Sequence, residues 1–62
     1  MAVKLGDRIA LRFDEPSAIG YNGIICDVIM SREKNGETLY FCESVYGSAT
    51  CWAREENMVP QG

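Results

Sequence analysis

Turn-forming residues recur at short intervals along this chain, and none of the segments between them carries a helical period. Asn22-Gly23, Asn35-Gly36 and Tyr46-Gly47-Ser48 each mark a reversal, because Asn and Gly tolerate the positive φ that tight turns need. Between these points apolar and polar residues alternate, which is the pattern of an all-β chain.

The first strand is predicted at about Asp7 to Phe13. Ile9, Leu11 and Phe13 share one face, and Arg8, Ala10 and Arg12 share the other. Val3 and Leu5 extend the apolar phase backward across a turn or bulge at Gly6-Asp7. Asp14 to Asn22 reads as a loop, longer than an ordinary hairpin connection, and long loops in small β domains often carry function. The second strand runs from about Gly23 to Ser31. It is apolar at Ile24, Ile25, Cys26, Val28, Ile29 and Met30, interrupted by Asp27. Such a run predicts burial on both faces, one of them under a loop or another chain. A charged turn follows at Arg32 to Gly36. The third strand is predicted at Glu37 to Ser44, with Leu39 and Phe41 opposite in facing to Tyr40 and Cys42. A fourth strand spans Ala49 to Ala53, with Thr50 and Trp52 on one face and Ala49, Cys51 and Ala53 on the other. Arg54 to Asn57 fits one 3₁₀ turn, and Met58-Val59-Pro60 a closing edge strand.

Sixty-two residues make one domain. A core of this size supplies only about 3–5 kcal/mol, so a deep private active site is excluded, while a site shared between subunits is not. Nine acidic against six basic residues give a net charge of -3, which argues against binding a nucleic-acid backbone. No histidine is present, which removes the usual general base near neutral pH and a common metal ligand. Cys26, Cys42 and Cys51 form no C-x-x-C pair and no even disulfide framework; they read as buried small hydrophobes. No leader-like segment and no apolar run of membrane-spanning length occurs. These features predict a cytoplasmic protein without a metal and without a membrane contact.

The element order is strand, long loop, three meander strands, a 3₁₀ turn and a short closing strand. It predicts a small five-stranded SH3-like barrel, with a five-stranded OB-fold as the alternative. Lys4-Leu5-Gly6-Asp7-Arg8-Ile9 resembles the opening of many SH3-like and KOW-type domains. Gly47-Ser48-Ala49-Thr50-Cys51-Trp52 followed by Asn57-Met58-Val59 resembles their close. In spacing, the chain is similar to the plasmid-borne type II dihydrofolate reductases. Gly6-Asp7-Arg8-Ile9, Tyr21-Asn22-Gly23 and Gly47-Ser48 stand where that family has Gly-Asp-Arg-Val, an aromatic–polar–Gly opening of the second strand, and a Gly-Ser pair. The resemblance implies homo-oligomerisation and origin on a mobile element or phage. It also implies, as an alternative function, an enzyme with a shared central pore that binds NADPH, using Thr50, Cys51 and Trp52. Ala49-Thr50-Cys51-Trp52 stands in place of the family's Val-Gln-Ile-Tyr, however, and Thr50 lacks the amide that touches both ligands. Leu11 replaces the lysine at the pore mouth, and the stretch from Gly6 to Gly23 is longer.

The leading expectation is therefore a protein-interaction or assembly module, not an enzyme. Its binding surface is predicted at Asp14, Glu15, Tyr21, Tyr46, Trp52 and Glu55. Aromatic side chains and flanking acids are what SH3-like grooves offer to basic, proline-rich ligands. Tudor-like members of this fold use aromatic cages for methylated basic side chains, for which Trp52, Tyr40 and an acid are the candidates. The apolar strand Ile24 to Met30 predicts self-association, through Ile25, Asp27 and Ile29 or through Cys26, Val28 and Met30.

Overall fold

In a computed structural model that describes residues 3–47 and 49–61, Asn35 and Gly36 both adopt positive φ, 53° and 79°. Two such residues in succession make the turn whose twist matches that of paired strands. They reverse β2 (Ile25–Lys34) into β3 (Glu37–Ser44), paired from Cys26–Ser44 to Lys34–Glu37. The charged residues Arg32 to Lys34, expected in the turn, thus continue the strand. β1 (Arg8–Leu11), β4 (Thr50–Ala53) and β5 (Met58–Pro60) complete one antiparallel sheet in the order β4-β3-β2-β1-β5. The chain is all-β, as expected, with a 3₁₀ turn at Glu55–Asn57 directly before the last strand and Pro60 on an edge strand. Ser48, the last residue of the third turn signal, lies outside the described residues.

The long first connection is more ordered than a loop. Pro16–Tyr21 wind into a 3₁₀ helix, which Pro16 opens with its preset φ and missing N–H. The Asn22 N–H then donates to the Ile19 carbonyl at 3.1 Å. Gly23, at φ 86°, releases the chain into β2.

Inward-facing alternate residues build the core: Ile9, Leu11, Cys26, Val28, Tyr40, Cys42, Ala53 and Met58, with Val3, Phe13, Ile24 and Cys51 packed against them. Leu5 departs from its expected phase and is exposed. The Asp7 N–H donates to the Lys4 carbonyl at 3.1 Å and Gly6 takes φ 93°, a tight turn that breaks the alternation.

The second strand requires a larger correction. Val28 faces Cys42, but Met30 faces Phe41. Ile29 is therefore an extra residue, a β-bulge, and side chains beyond it swap faces. Met30 lies on the outer face and is 48% exposed, while Cys26 and Val28 are sealed inside at 2% each. The predicted interface of Cys26, Val28 and Met30 is thus not one surface: its first two members are covered by the chain's own core. No loop of the chain itself covers the second face at Ile29, which is exposed. Asp27 stays on the outer face and accepts from Arg8 Nε at 3.0 Å.

This inversion predicts opposite sensitivities two residues apart. Val28→Ala is expected to lower stability by about 2 kcal/mol. Met30→Ser is expected to stay within about 0.5 kcal/mol of the parent, as exposed positions do. Urea denaturation of both variants measures the difference, and equal losses would place both side chains in the core.

Candidate functional site

The first connection is held in place by a side chain that imitates a strand. Asn22 Oδ1 accepts the Phe13 N–H at 2.6 Å, and Asn22 Nδ2 donates to the Phe13 carbonyl at 3.0 Å. This pair continues the ladder that the Leu11 and Gly23 N–H groups make with the Ile24 and Leu11 carbonyls. It fixes Phe13 beside Tyr21, ring edge toward ring face, with centroids 6.4 Å apart. A second asparagine ties down the other end of the site. Asn57 Oδ1 accepts the Arg54 N–H at 3.3 Å, Nδ2 donates to the Arg12 carbonyl at 3.3 Å, and the Asn57 carbonyl accepts the Arg12 N–H at 2.8 Å.

Between these clamps lies a groove of about 340 Å³. One wall is Phe13, Glu15, Ala18 and Tyr21 from the first connection. The other is the run Cys51 to Arg54, together with Leu39 and Asn57. Trp52 is 40% exposed there. Its ring is fixed from the outer face of the sheet, where Phe41 lies 5.0 Å away and the Arg32 guanidinium 5.6 Å from its centroid. That cation–π contact is worth about 0.5–1 kcal/mol at an exposed site. With Met30 opposite Phe41 and Phe41 opposite Trp52, three large side chains form one outer row.

The charge of the groove is one-sided. Arg54 Nε donates to Glu37 Oε2 at 3.0 Å, so its charge is matched within the chain. Glu15 has no ion-pair partner among the described residues.

Of the residues expected at a binding surface, the structure brings together Glu15, Tyr21 and Trp52. Asp14 does not line the groove. Tyr46 stands 89% exposed in the β3–β4 turn, apart from the groove lining. Glu55 is engaged elsewhere, accepting from the Tyr40 hydroxyl at 3.3 Å. Burial, and then the Glu55 charge and hydrogen bond, push the Tyr40 phenol above its ordinary pKa. The Trp52–Tyr40 cage does not form, since Tyr40 faces the core opposite Ala53 while Trp52 faces outward. Thr50, Cys51 and Trp52 alternate in the same way. Cys51 and Trp52 both line the groove, and Thr50 does not. Phe13, Leu39 and Arg54 are groove residues that sequence reasoning missed. Phe13 looked like core by its phase, and Leu39 carried the only signal, as an apolar residue on the same face as Phe41.

The cysteines follow the core pattern. Cys42 and Cys51 are cross-strand partners. Burial, reinforced by the neighbouring Cys51 and Cys26 thiols, pushes the Cys42 thiol up to about 12. Burial also raises Cys26 and Cys51. Among the described residues no group of His, Cys, Asp and Glu is placed to hold a metal ion, and no helix is long and apolar enough to cross a membrane. Comparison of the chain with protein-family models, curated proteins and solved structures gives no match.

The raised thiols set an alkaline limit. Below the unfolded value of 9.0 both states keep these protons, and the full stability is present. Above it the unfolded state loses protons that the folded state retains, so stability falls from pH 9 toward about 12. Urea midpoints measured across that window are expected to drop. Replacing Cys42 by Ala should flatten the decline, and an unchanged slope would remove Cys42 as its cause.

Proposed function

We propose that this chain is a small protein-interaction module of SH3-like architecture, and that its groove takes an extended, basic segment of a partner protein. The observation that carries the reading is the pairing of aromatic walls with one unmatched carboxylate. Phe13, Tyr21 and Trp52 offer apolar and π surface, and Glu15 lacks a cation among the described residues. Recognition sites of this kind combine a mostly apolar cleft with a few placed polar groups. A net charge of -3 adds long-range attraction for a basic partner. The strand order and the 3₁₀ turn before β5 support the SH3-like reading.

A hexapeptide alternating valine and lysine is the direct probe, with a version carrying glutamate for lysine as control. The lysine peptide is expected to shift the emission of Trp52, the single tryptophan, and the glutamate peptide to leave it unchanged. Glu15→Lys should weaken binding by about tenfold, close to 1.4 kcal/mol, without a change in melting temperature. Trp52→Ala should remain folded, at a cost of about 1–2 kcal/mol for the lost Phe41 and Arg32 contacts, and lose the peptide in calorimetry. Equal binding of both peptides, or no effect of Glu15→Lys, would overturn the charge-based reading.

A second reading, self-association through the outer face, is favoured by the exposure of Ile29 and Met30 beside Phe41. Patches of large apolar side chains mark contact surfaces. Sedimentation at micromolar concentration tests it: Met30→Lys is expected to yield monomers where the parent forms a larger species, and a monomeric parent would dismiss it.

A further inference from the structure

The groove runs along a strand that ends the sheet. β4 pairs with β3 on one side, and among the described residues no strand pairs with its other side. One hydrogen bond settles how its backbone is turned. The Ser44 N–H donates to the Ala49 carbonyl at 2.8 Å, and this pair continues the register Glu43–Thr50, Cys42–Cys51, Phe41–Trp52 and Tyr40–Ala53. In an antiparallel ladder bonded and non-bonded pairs alternate. Cys51 and Ala53 therefore direct their backbone groups at β3. The N–H and C=O groups of Thr50 and Trp52 point the other way, out across the open edge.

Two further observations place the groove at that edge. Consecutive residues from Cys51 to Arg54 line it, whereas a cleft over one face of a sheet would meet only alternate ones. At Arg54 the open stretch closes, because its N–H is taken by Asn57 Oδ1. Natural edge strands are usually blunted by proline, by charge or by a bulge. The opposite edge of this sheet carries Pro60, while Thr50–Ala53 holds neither proline nor a charged residue.

We infer that the groove captures its partner by strand addition. An extended segment hydrogen-bonds through its main chain to Thr50 and Trp52 as a sixth strand and presents a basic side chain to Glu15. The inference rests on the groove reading above and specifies its mode. The occupant is a foreign basic segment and not a second copy pairing β4 to β4: the copy would bring uncharged Thr50–Ala53 and leave Glu15 unmatched. Main-chain bonds then supply affinity and alternate side chains supply selectivity.

Backbone N-methylation tests this on the full chain. The valine–lysine hexapeptide is prepared unmodified and with its amide nitrogens methylated at either of the two alternating sets, beside a proline-rich hexapeptide of equal charge. Strand addition predicts that the unmodified peptide slows hydrogen exchange at the Thr50 and Trp52 amides by about tenfold or more. It also predicts that only one methylated set binds, since a strand bonds its neighbour through alternate residues. If both methylated sets or the proline-rich peptide bind as well as the parent, with no amide protection, the groove reading stands and strand addition is overturned. If no peptide binds at about 1 mM, both fall. Protection that grows with protein concentration alone, with a doubled mass, assigns the edge to a second copy and overturns the foreign-segment inference.

Discussion

The extra residue at Ile29 decides which side of the sheet the rest of β2 serves. Before it, Cys26 and Val28 point inward, and after it, Met30 stands opposite Phe41 on the outer face. A bulge costs a local irregularity in the ladder and returns a change of side-chain phase together with added twist. Without it, the β2–β3 hairpin would aim Met30 at a core already filled by Val28, Tyr40 and Cys42. With it, the outer row Met30–Phe41–Trp52 exists, and the tryptophan at the groove stands against a ring on one side and the Arg32 guanidinium on another. Fixing a large side chain in advance lowers the ordering cost of later contacts with it.

A chain of this length has little apolar surface to divide between stability and recognition. The inner face is occupied by small and medium side chains, with two fully buried cysteines among them. Cysteine suits this use as a compact hydrophobe, and its raised pKa is the electrostatic trace of the same burial. Of the large aromatics only Tyr40 is buried, and its hydroxyl reaches Glu55 at the periphery. Phe13 is partly buried against the same core, and Tyr21, Tyr46 and Trp52 are exposed. The two asparagine clamps, Asn22 on Phe13 and Asn57 on Arg12 and Arg54, let irregular segments keep their backbone groups bonded without more core.

Strand existence and order were legible because they depend on local chemistry: positive-φ turn residues and period-two patterning. The third strand and the 3₁₀ turn at Glu55–Asn57 came out at their predicted places for that reason. The bulge was hidden, since Ile24 to Met30 is apolar at nearly every position and no alternation marks an inserted residue. The error in assigning Met30 followed directly. The site was half legible. Glu15, Tyr21 and Trp52 were visible as an acid and two aromatics in a long loop and a strand. Tyr46 and Asp14 share that chemistry but not the place, and Glu55 is drawn to Tyr40. Phe13 packs against the core as its phase predicts, and its second role as a groove wall was hidden because it depends on the Asn22 clamp, which no pattern marks.

An acidic surface and an uncharged edge strand answer different hazards. On the proposed reading, net negative charge disfavours pairing of like copies at the Thr50–Ala53 edge, which holds no lysine or proline. The same charge favours the approach of a basic segment of the kind proposed above. A device that blunted the edge itself would close it to every partner, whereas repulsion between like molecules acts against copies alone. On the proposed reading the charge of the whole chain and the bareness of one strand act as a pair, the first opposing self-pairing and the second leaving main-chain groups for a partner.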